Sequence, residues 1–187
     1  LNEKLSLAWY IGTKTHDHHD TLSKVILNVA NHLGIENEHI IGYGSSGGGY
    51  ASLRMSSFIP GMTSVAINPQ VVIKEYHEKA VNRFLKTCFN SSYSSFDFEN
   101  NSKRFDIRKA GINKTTNKII VAQNIEDEFH YKKHFTPLCE HYGYDSKSSI
   151  SYSNFKSIIF SHPGGHSKAE TEKVFKEIIK SCAEPKM

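Results

Sequence analysis

Ser46 stands in the part of the chain with the most chemistry around it. The segment His39-Ile40-Ile41-Gly42-Tyr43-Gly44-Ser45-Ser46-Gly47-Gly48-Gly49-Tyr50-Ala51 is an apolar run that breaks into glycines and then re-enters helix-forming sequence. This is the pattern of a nucleophile elbow, a sharp strand-to-helix turn that strains one residue's backbone and exposes its hydroxyl. The positions two before and two after that residue must be tiny. Ser46 has Gly44 and Gly48 there, whereas Ser45 would put Tyr43 where a side chain does not fit.

A serine hydroxyl is a weak nucleophile at neutral pH, so it needs a histidine to take its proton and a carboxylate to hold that histidine's tautomer. In α/β sheets with such an elbow the chain order is serine, acid, histidine. Downstream, an apolar run at Lys118 to Ala122 leads into Gln123-Asn124-Ile125-Glu126-Asp127-Glu128, and a last one at Phe155 to Phe160 leads into Ser161-His162-Pro163-Gly164-Gly165-His166-Ser167. Asp127 is the expected acid. Glu126 is its fallback, since spacing alone does not separate adjacent carboxylates, and a helix-start charge cluster is the bland alternative. His166 has the reach of a flexible Gly-Gly and is preferred over His162 as base. The amide after the nucleophile, on Gly47, is the first oxyanion donor. Gly12 or Thr13, or residues upstream of Leu1, are expected to supply the second.

Rival readings of the same glycines fail on their surroundings. Gly42, Gly44 and Gly47 have the spacing of a dinucleotide-binding turn, but the following strand ends in Asn68-Pro69-Gln70 with no carboxylate for a ribose. A triphosphate-binding loop would close on Gly-Lys-Ser/Thr, and this one closes on Gly-Gly-Tyr. A separate cluster, Thr15-His16-Asp17-His18-His19-Asp20-Thr21, comes within one residue of the His-x-His-x-Asp-His pattern of two-metal hydrolases. Thr21 replaces the last histidine, which breaks the second metal site. A solvated histidine-rich loop and helix start is the favoured reading of that cluster.

The elements that must position these groups alternate along the chain. Leu5 to Ile11, His39 to Tyr43, Thr63 to Ile67, Lys118 to Ala122 and Phe155 to Phe160 read as parallel strands. Helical periodicity covers residues 18–33, 48–58, 74–88, 129–142 and 167–182. The serine- and asparagine-rich stretch from Asn90 to Lys103 reads as a surface loop or lid, with Tyr93, Phe96 and Phe98 expected at the rim to stack on sugar rings. The expected fold is therefore α/β, a mostly parallel sheet with helices on both faces, and the site lies beyond the carboxyl ends of its strands.

At 187 residues with 38% hydrophobic residues, the chain is expected to form a single catalytic domain over residues 1–187. Its net charge of +4 is scattered, which does not suggest nucleic-acid binding. No apolar run reaches the roughly 20 residues of a membrane span. Cys88, Cys139 and Cys182 lack metal-knuckle spacing and read as buried thiols of a reducing compartment, the cytoplasm. Nothing in the sequence decides whether copies associate as a homo-oligomer.

Together, Gly44-Ser45-Ser46-Gly47-Gly48, Asp127 after a late strand and Gly164-Gly165-His166 after the last one resemble the α/β-hydrolase superfamily. Tyr50-Ala51, Asn68-Pro69-Gln70 and Gln123-Asn124 with Asp127 and His130 resemble a branch among bacterial surface-glycan and capsule proteins that includes esterases and O-acetyltransferases. The superfamily sheet has about eight strands, so the five read here imply N-terminal strands ahead of Leu1. The resemblance implies O-acetyl ester hydrolysis or O-acetyl transfer on a carbohydrate, with no required cofactor and acetyl-CoA as a possible acyl donor. The other function classes are a metal-dependent hydrolase using His16, His18 and Asp20, and a non-catalytic glycan-binding module.

Overall fold

The computed structural model describes residues 5–152, 154–168 and 170–185. Its main sheet has five strands in the order β3-β4-β5-β7-β6. β3 (Ile41–Ser45), β4 (Thr63–Ile67), β5 (Lys118–Asn124) and β7 (Phe155–Phe160) run parallel, and β6 (Ile150–Tyr152) is antiparallel to β7. A separate two-stranded hairpin joins β1 (Gly12–Thr13) to β2 (His16–Asp17).

The two central strands are buried along their whole length, as parallel strands covered on both faces must be. Ala66, Ile119, Val121 and Phe155 face one layer of helices: α2 (Gly47–Met55), α3 (Glu78–Phe89) and α6 (Thr136–Tyr142). Val65, Ile67, Ile120, Ala122 and Ile158 face α7 (Glu172–Ala183) through Val174 and Ile178. α1 (His18–Leu33) starts on an Asp17 cap and stops on Gly34 in the left-handed region, and its Leu22, Ile26 and Leu27 pack on Met55, Ile59 and Met62. Short α4 (Ser102–Phe105) and α5 (Glu128–His130) complete the set; α5 continues through a wide turn, Tyr131–Phe135, into α6.

Three expectations need correction. Leu5 to Ile11 is not a strand: Trp9 and Tyr10 have φ of 49° and 56°, and the segment folds back on itself through the Ile11 amide bonding the Ala8 carbonyl. Its apolar residues are satisfied by packing on the core rather than by pairing in the sheet. The stretch from Asn90 to Asn101 does run over the surface without regular structure, but its aromatic residues do not all stand at a rim. Phe98 is buried, Phe96 lies edge-on against Phe89 at 5.3 Å, and both meet Phe105. The Tyr93 hydroxyl donates to the Lys74 carbonyl. Aromatic burial ties this segment down despite its polar neighbours. The last helix begins at Glu172 rather than at residue 167; Ala169, inside the expected span, lies outside the described residues.

Cys139 is buried and Cys88 and Cys182 are half-buried, all as free thiols on helices. Among the described residues no helix is long and apolar enough to cross a membrane.

Candidate active site

Four loops leave the carboxyl ends of β3, β4, β5 and β7 and meet at one rim of the sheet, where ligands bind in such folds. At the end of β3, Ser46 sits at φ 54°, ψ −119°, a strained conformation for a residue with a side chain. Its amide is tied to the Ile67 carbonyl at 2.9 Å and its carbonyl accepts from the Tyr50 amide at 3.1 Å, so strand and helix both hold the turn.

The surrounding glycines are not equivalent. A Cβ on Gly44 would lie 2.5 Å from the Gly48 backbone, and one on Gly47 would lie 2.4 Å from Leu7 Cδ1. A Cβ on Gly48 would meet nothing within 4 Å. The requirement for a tiny residue two positions after Ser46 is thus not steric at Gly48 itself; it is Gly44 that must stay bare so that α2 can approach β3.

His166 Nε2 lies 3.1 Å from Ser46 Oγ, and His166 Nδ1 lies 2.6 Å from Asp127 Oδ2. The serine, the acid and the histidine singled out in sequence are brought into one hydrogen-bonded line. Glu126 is not in it: its carboxylate accepts from the Ser161 hydroxyl at 2.7 Å. His162 is also elsewhere, with Nδ1 accepting from the Gly164 amide. Asn124 staples the acid loop to the histidine loop. Its Nδ2 donates to the carbonyls of His162 and Gly165, and its Oδ1 accepts from the amides of His162 and Glu126.

Asp127 carries a second histidine. His130, three residues on and one helical turn away, bonds Asp127 Oδ1 through Nδ1 at 2.9 Å. Burial of Asp127 opposes its ionisation, but the hydrogen bonds from His130 and His166 outweigh this and hold its carboxyl well below the usual carboxylate range. His130 is pushed down by burial, partly offset by Asp127, and stays neutral. Its Nε2 faces Gln70 Nε2 at 2.7 Å, and the same Gln70 nitrogen lies 2.9 Å from Ser46 Oγ. His134, buried and lowered to about 3 by desolvation, accepts from the Val71 and Val72 amides and holds the loop that carries Gln70. In sequence, Gln70 and His130 entered only through a resemblance; the acid-to-histidine spacing of three at a helix start is the signal that would have placed His130 beside Asp127.

Gly12 and Thr13 are the expected second oxyanion donors. They lie in the β1–β2 hairpin, where the Thr13 carbonyl accepts from Arg104. Leu7, Trp9 and Gln70 are the groups nearest Gly47 on its side-chain side. The first amides of α2 have no intrahelical partners and lie at the positive end of a helix.

The histidine cluster does not assemble. His16 Nε2 pairs with the Thr21 hydroxyl, Asp17 caps α1 and pairs with Arg54 and Arg104, Asp20 pairs with Lys24, and His19 is buried and lowered to about 3 by desolvation. Among the described residues, the group of three whose ligand atoms come together is Asp127, His130 and His166. There the two rings stack 4.1 Å apart and 11° from parallel, each nitrogen aimed at its own carboxylate oxygen. Zinc ligation wants nitrogens converging on one point at about 2.0–2.1 Å. The arrangement suits two separate N–H···O bonds.

No family model matches the chain, and no curated protein does. Among solved structures it is similar to the capsule O-acetyltransferase of Neisseria meningitidis serogroup A, with a TM-score of 0.62 at 18% identity over 92% of this chain and 68% of that one. The same enzyme in complex with caged gadolinium gives 0.59 at 16% identity, over 93% and 66%. An N-acyl homoserine lactonase, AidH, superposes at only 0.39 and 15% identity, over 90% and 72%. The likeness to the capsule enzyme is one of fold.

Proposed function

We propose that this chain is a serine-dependent acyl-transfer enzyme, with Ser46 as nucleophile, His166 as base, Asp127 as its orienting acid and the Gly47 amide as an oxyanion donor. The observation that carries the reading is the continuous Ser46–His166–Asp127 hydrogen bonding at 3.1 and 2.6 Å, on an elbow whose strain exposes the serine.

Ser46 Oγ attacks the carbonyl carbon of an acetyl ester or thioester while its proton passes to His166 Nε2. The imidazolium so formed is stabilised by Asp127, which is ionised at neutral pH. The tetrahedral oxygen carries the negative charge and accepts from the Gly47 N–H, a preorganised donor of the kind typically worth ~3 kcal/mol. Collapse expels the alkoxide or thiolate, which takes the proton from His166 and leaves an acetyl ester on Ser46. A second hydroxyl then gives its proton to His166 and attacks the acetyl carbon; collapse of that intermediate expels Ser46 Oγ, which takes the proton back from His166. With water as acceptor the enzyme is an esterase; with a sugar hydroxyl it is an O-acetyltransferase, and acetyl-CoA is the donor we propose. The fold likeness to a capsule O-acetyltransferase supports a glycan acceptor.

The test is covalent labelling. A fluorophosphonate should modify Ser46 alone by peptide mass mapping, because only a serine with a bonded base reacts. No adduct, or one that persists in Ser46→Ala, sinks the assignment.

A further inference from the structure

The hydrogen bonds around Ser46 close into a ring, and chemistry permits only one assignment of its protons, with donation running both ways from Gln70 and converging on Asp127. Trp9 is fully buried and its indole N–H, which can only donate, lies 3.2 Å from Gln70 Oε1. That bond decides which way the Gln70 amide faces: oxygen toward Trp9, nitrogen toward the site. Both hydrogens of Gln70 Nε2 are then committed, one to Ser46 Oγ and one to His130 Nε2. Since His130 Nε2 must accept, its proton sits on Nδ1, where it meets Asp127 Oδ1. His166 likewise gives its Nδ1 proton to Asp127 Oδ2 and offers Nε2 to the serine.

We infer that Trp9, Gln70 and His130 form a polarity lock that leaves His166 Nε2 as the sole acceptor for the Ser46 proton. Gln70 touches the nucleophile and presents it with a donor only. Turned over, the same amide would put Oε1 against Ser46, and the hydroxyl would divide its proton between Gln70 and His166. The turned amide would also face the Trp9 N–H with its own N–H groups, and would require an Nε2 proton on His130 as well as the Nδ1 proton that Asp127 accepts. Burial disfavours that imidazolium. Trp9 is wedged edge-on between Tyr76 and Phe84, at 5.8 and 5.4 Å, so the lock is anchored in the core. The positive φ of Trp9 is the backbone conformation that carries the indole there. His130 is a positioning residue: it occupies the Asp127 oxygen that His166 does not use, and it reads the orientation of Gln70.

This rests on the acyl-transfer reading, and the test separates the two. In the full chain, the rate of Ser46 labelling by a fluorophosphonate is compared for wild type, Gln70→Glu and Gln70→Leu. Thermal unfolding serves as the folding control. Glutamate keeps the shape of Gln70 but gives the serine a competing acceptor, and should slow labelling on the order of 100-fold. Leucine loses the shape but adds no acceptor, and should cost about tenfold or less. A packing role would give the opposite order. In parallel, nitrogen NMR of labelled histidines should find His130 neutral with its proton on Nδ1 in the wild type, and doubly protonated in Gln70→Glu. Labelling of Gln70→Glu as fast as wild type or Gln70→Leu, or a wild-type His130 proton on Nε2, overturns the lock while leaving Ser46 as nucleophile. Failure of the wild type to label at Ser46 overturns the acyl-transfer reading itself, and the lock with it.

Discussion

The rings of His130 and His166 lie parallel, 4.1 Å apart, and each gives its Nδ1 proton to a different oxygen of Asp127. One carboxylate therefore sets two tautomers, and its rotation is fixed from both sides. In the proposed reaction His166 becomes cationic, while burial lowers the affinity of the imidazole stacked on it for a proton. Two stacked imidazolium ions would repel; one ion beside a neutral ring does not.

Asp127→Asn should accordingly be more disruptive than loss of a charge alone. An asparagine keeps one acceptor oxygen and must turn its NH2 toward either His130 or His166, forcing that ring to move its proton to the other nitrogen. Turnover should fall by roughly 10³–10⁴-fold with the fold intact. Glu126→Gln should be near neutral, because an amide oxygen still accepts from the Ser161 hydroxyl. Steady-state rates with circular dichroism as control compare the two, and a larger loss at Glu126 would move the acid.

Gly44 and Gly48 should part company under the same substitution. Gly44→Ala forces a methyl to 2.5 Å from the Gly48 carbonyl carbon and oxygen. Backbone cannot yield there cheaply, so a loss of about 1–3 kcal/mol or more is expected, with the elbow distorted. Gly48→Ala enters open space within a helix and should be neutral or stabilising by about 0.5–1 kcal/mol. Melting temperatures decide; equal destabilisation by the two would refute this account of the elbow.

How much of this was legible in sequence depends on how local the signal was. Ser46, Asp127 and His166 each follow an apolar strand at a turn, and turn glycines and strand ends are readable one segment at a time. That Asp127 rather than Glu126 faces His166 depends on how Asn124, at the end of β5, ties its own turn to the histidine loop, and spacing cannot show it. Leu5 to Ile11 reads as a strand because burial and strand pairing leave the same apolar mark in a sequence. Leu7 and Trp9 are apolar since they cover Gly47 and the core, not since they pair. Phe96 and Phe98 were misplaced for the converse reason: alternation with polar residues hid an aromatic cluster that only tertiary contact creates.

Buried histidines give the protein an acid limit above that of its carboxylates. His19 and His134 are each lowered to about 3 by burial, so in the folded chain they stay neutral where the unfolded chain protonates them, from about 6.5 downward. The unfolded state then binds more protons, and stability falls as pH falls. The slope approaches about 1.4 kcal/mol per pH unit for each histidine, or roughly 3 kcal/mol for the pair between about pH 6.5 and 5. The lowered Asp127 adds its loss only below about pH 4. Urea unfolding across this range should show the decline. His134→Asn, whose oxygen can still accept from the Val71 and Val72 amides, should make it shallower by the share of one histidine, with His19 and His130 supplying the rest. A flat profile would contradict the burial of both rings as neutral groups.

The fate of the acetyl group on Ser46 decides between esterase and transferase, and it depends on whether a sugar hydroxyl outcompetes water at the intermediate. Phe98 is buried, and the half-buried Tyr93 and Phe96 pack against it and the core, which makes the three a poor sugar platform. The exposed aromatic groups beside the elbow are Tyr10 and Tyr43, which border a cleft of about 270 Å3 along Gly48 and Ala51. Ser46 does not line this cleft, so a carbohydrate stacked there would have to extend past Gly48 to bring a hydroxyl to the acyl-enzyme. We therefore expect slow turnover of a simple aryl acetate in water and faster release when an acceptor glycan is added, with acetylated sugar among the products. Tyr10→Ala should lower the sugar share of that partition by about five- to tenfold, the worth of one aromatic contact of ~1 kcal/mol. Mass spectrometry of the products, with acetyl-CoA and an aryl acetate as alternative donors, measures it. Fast hydrolysis with no acetylated sugar across a broad acceptor panel would leave the esterase and remove the transferase.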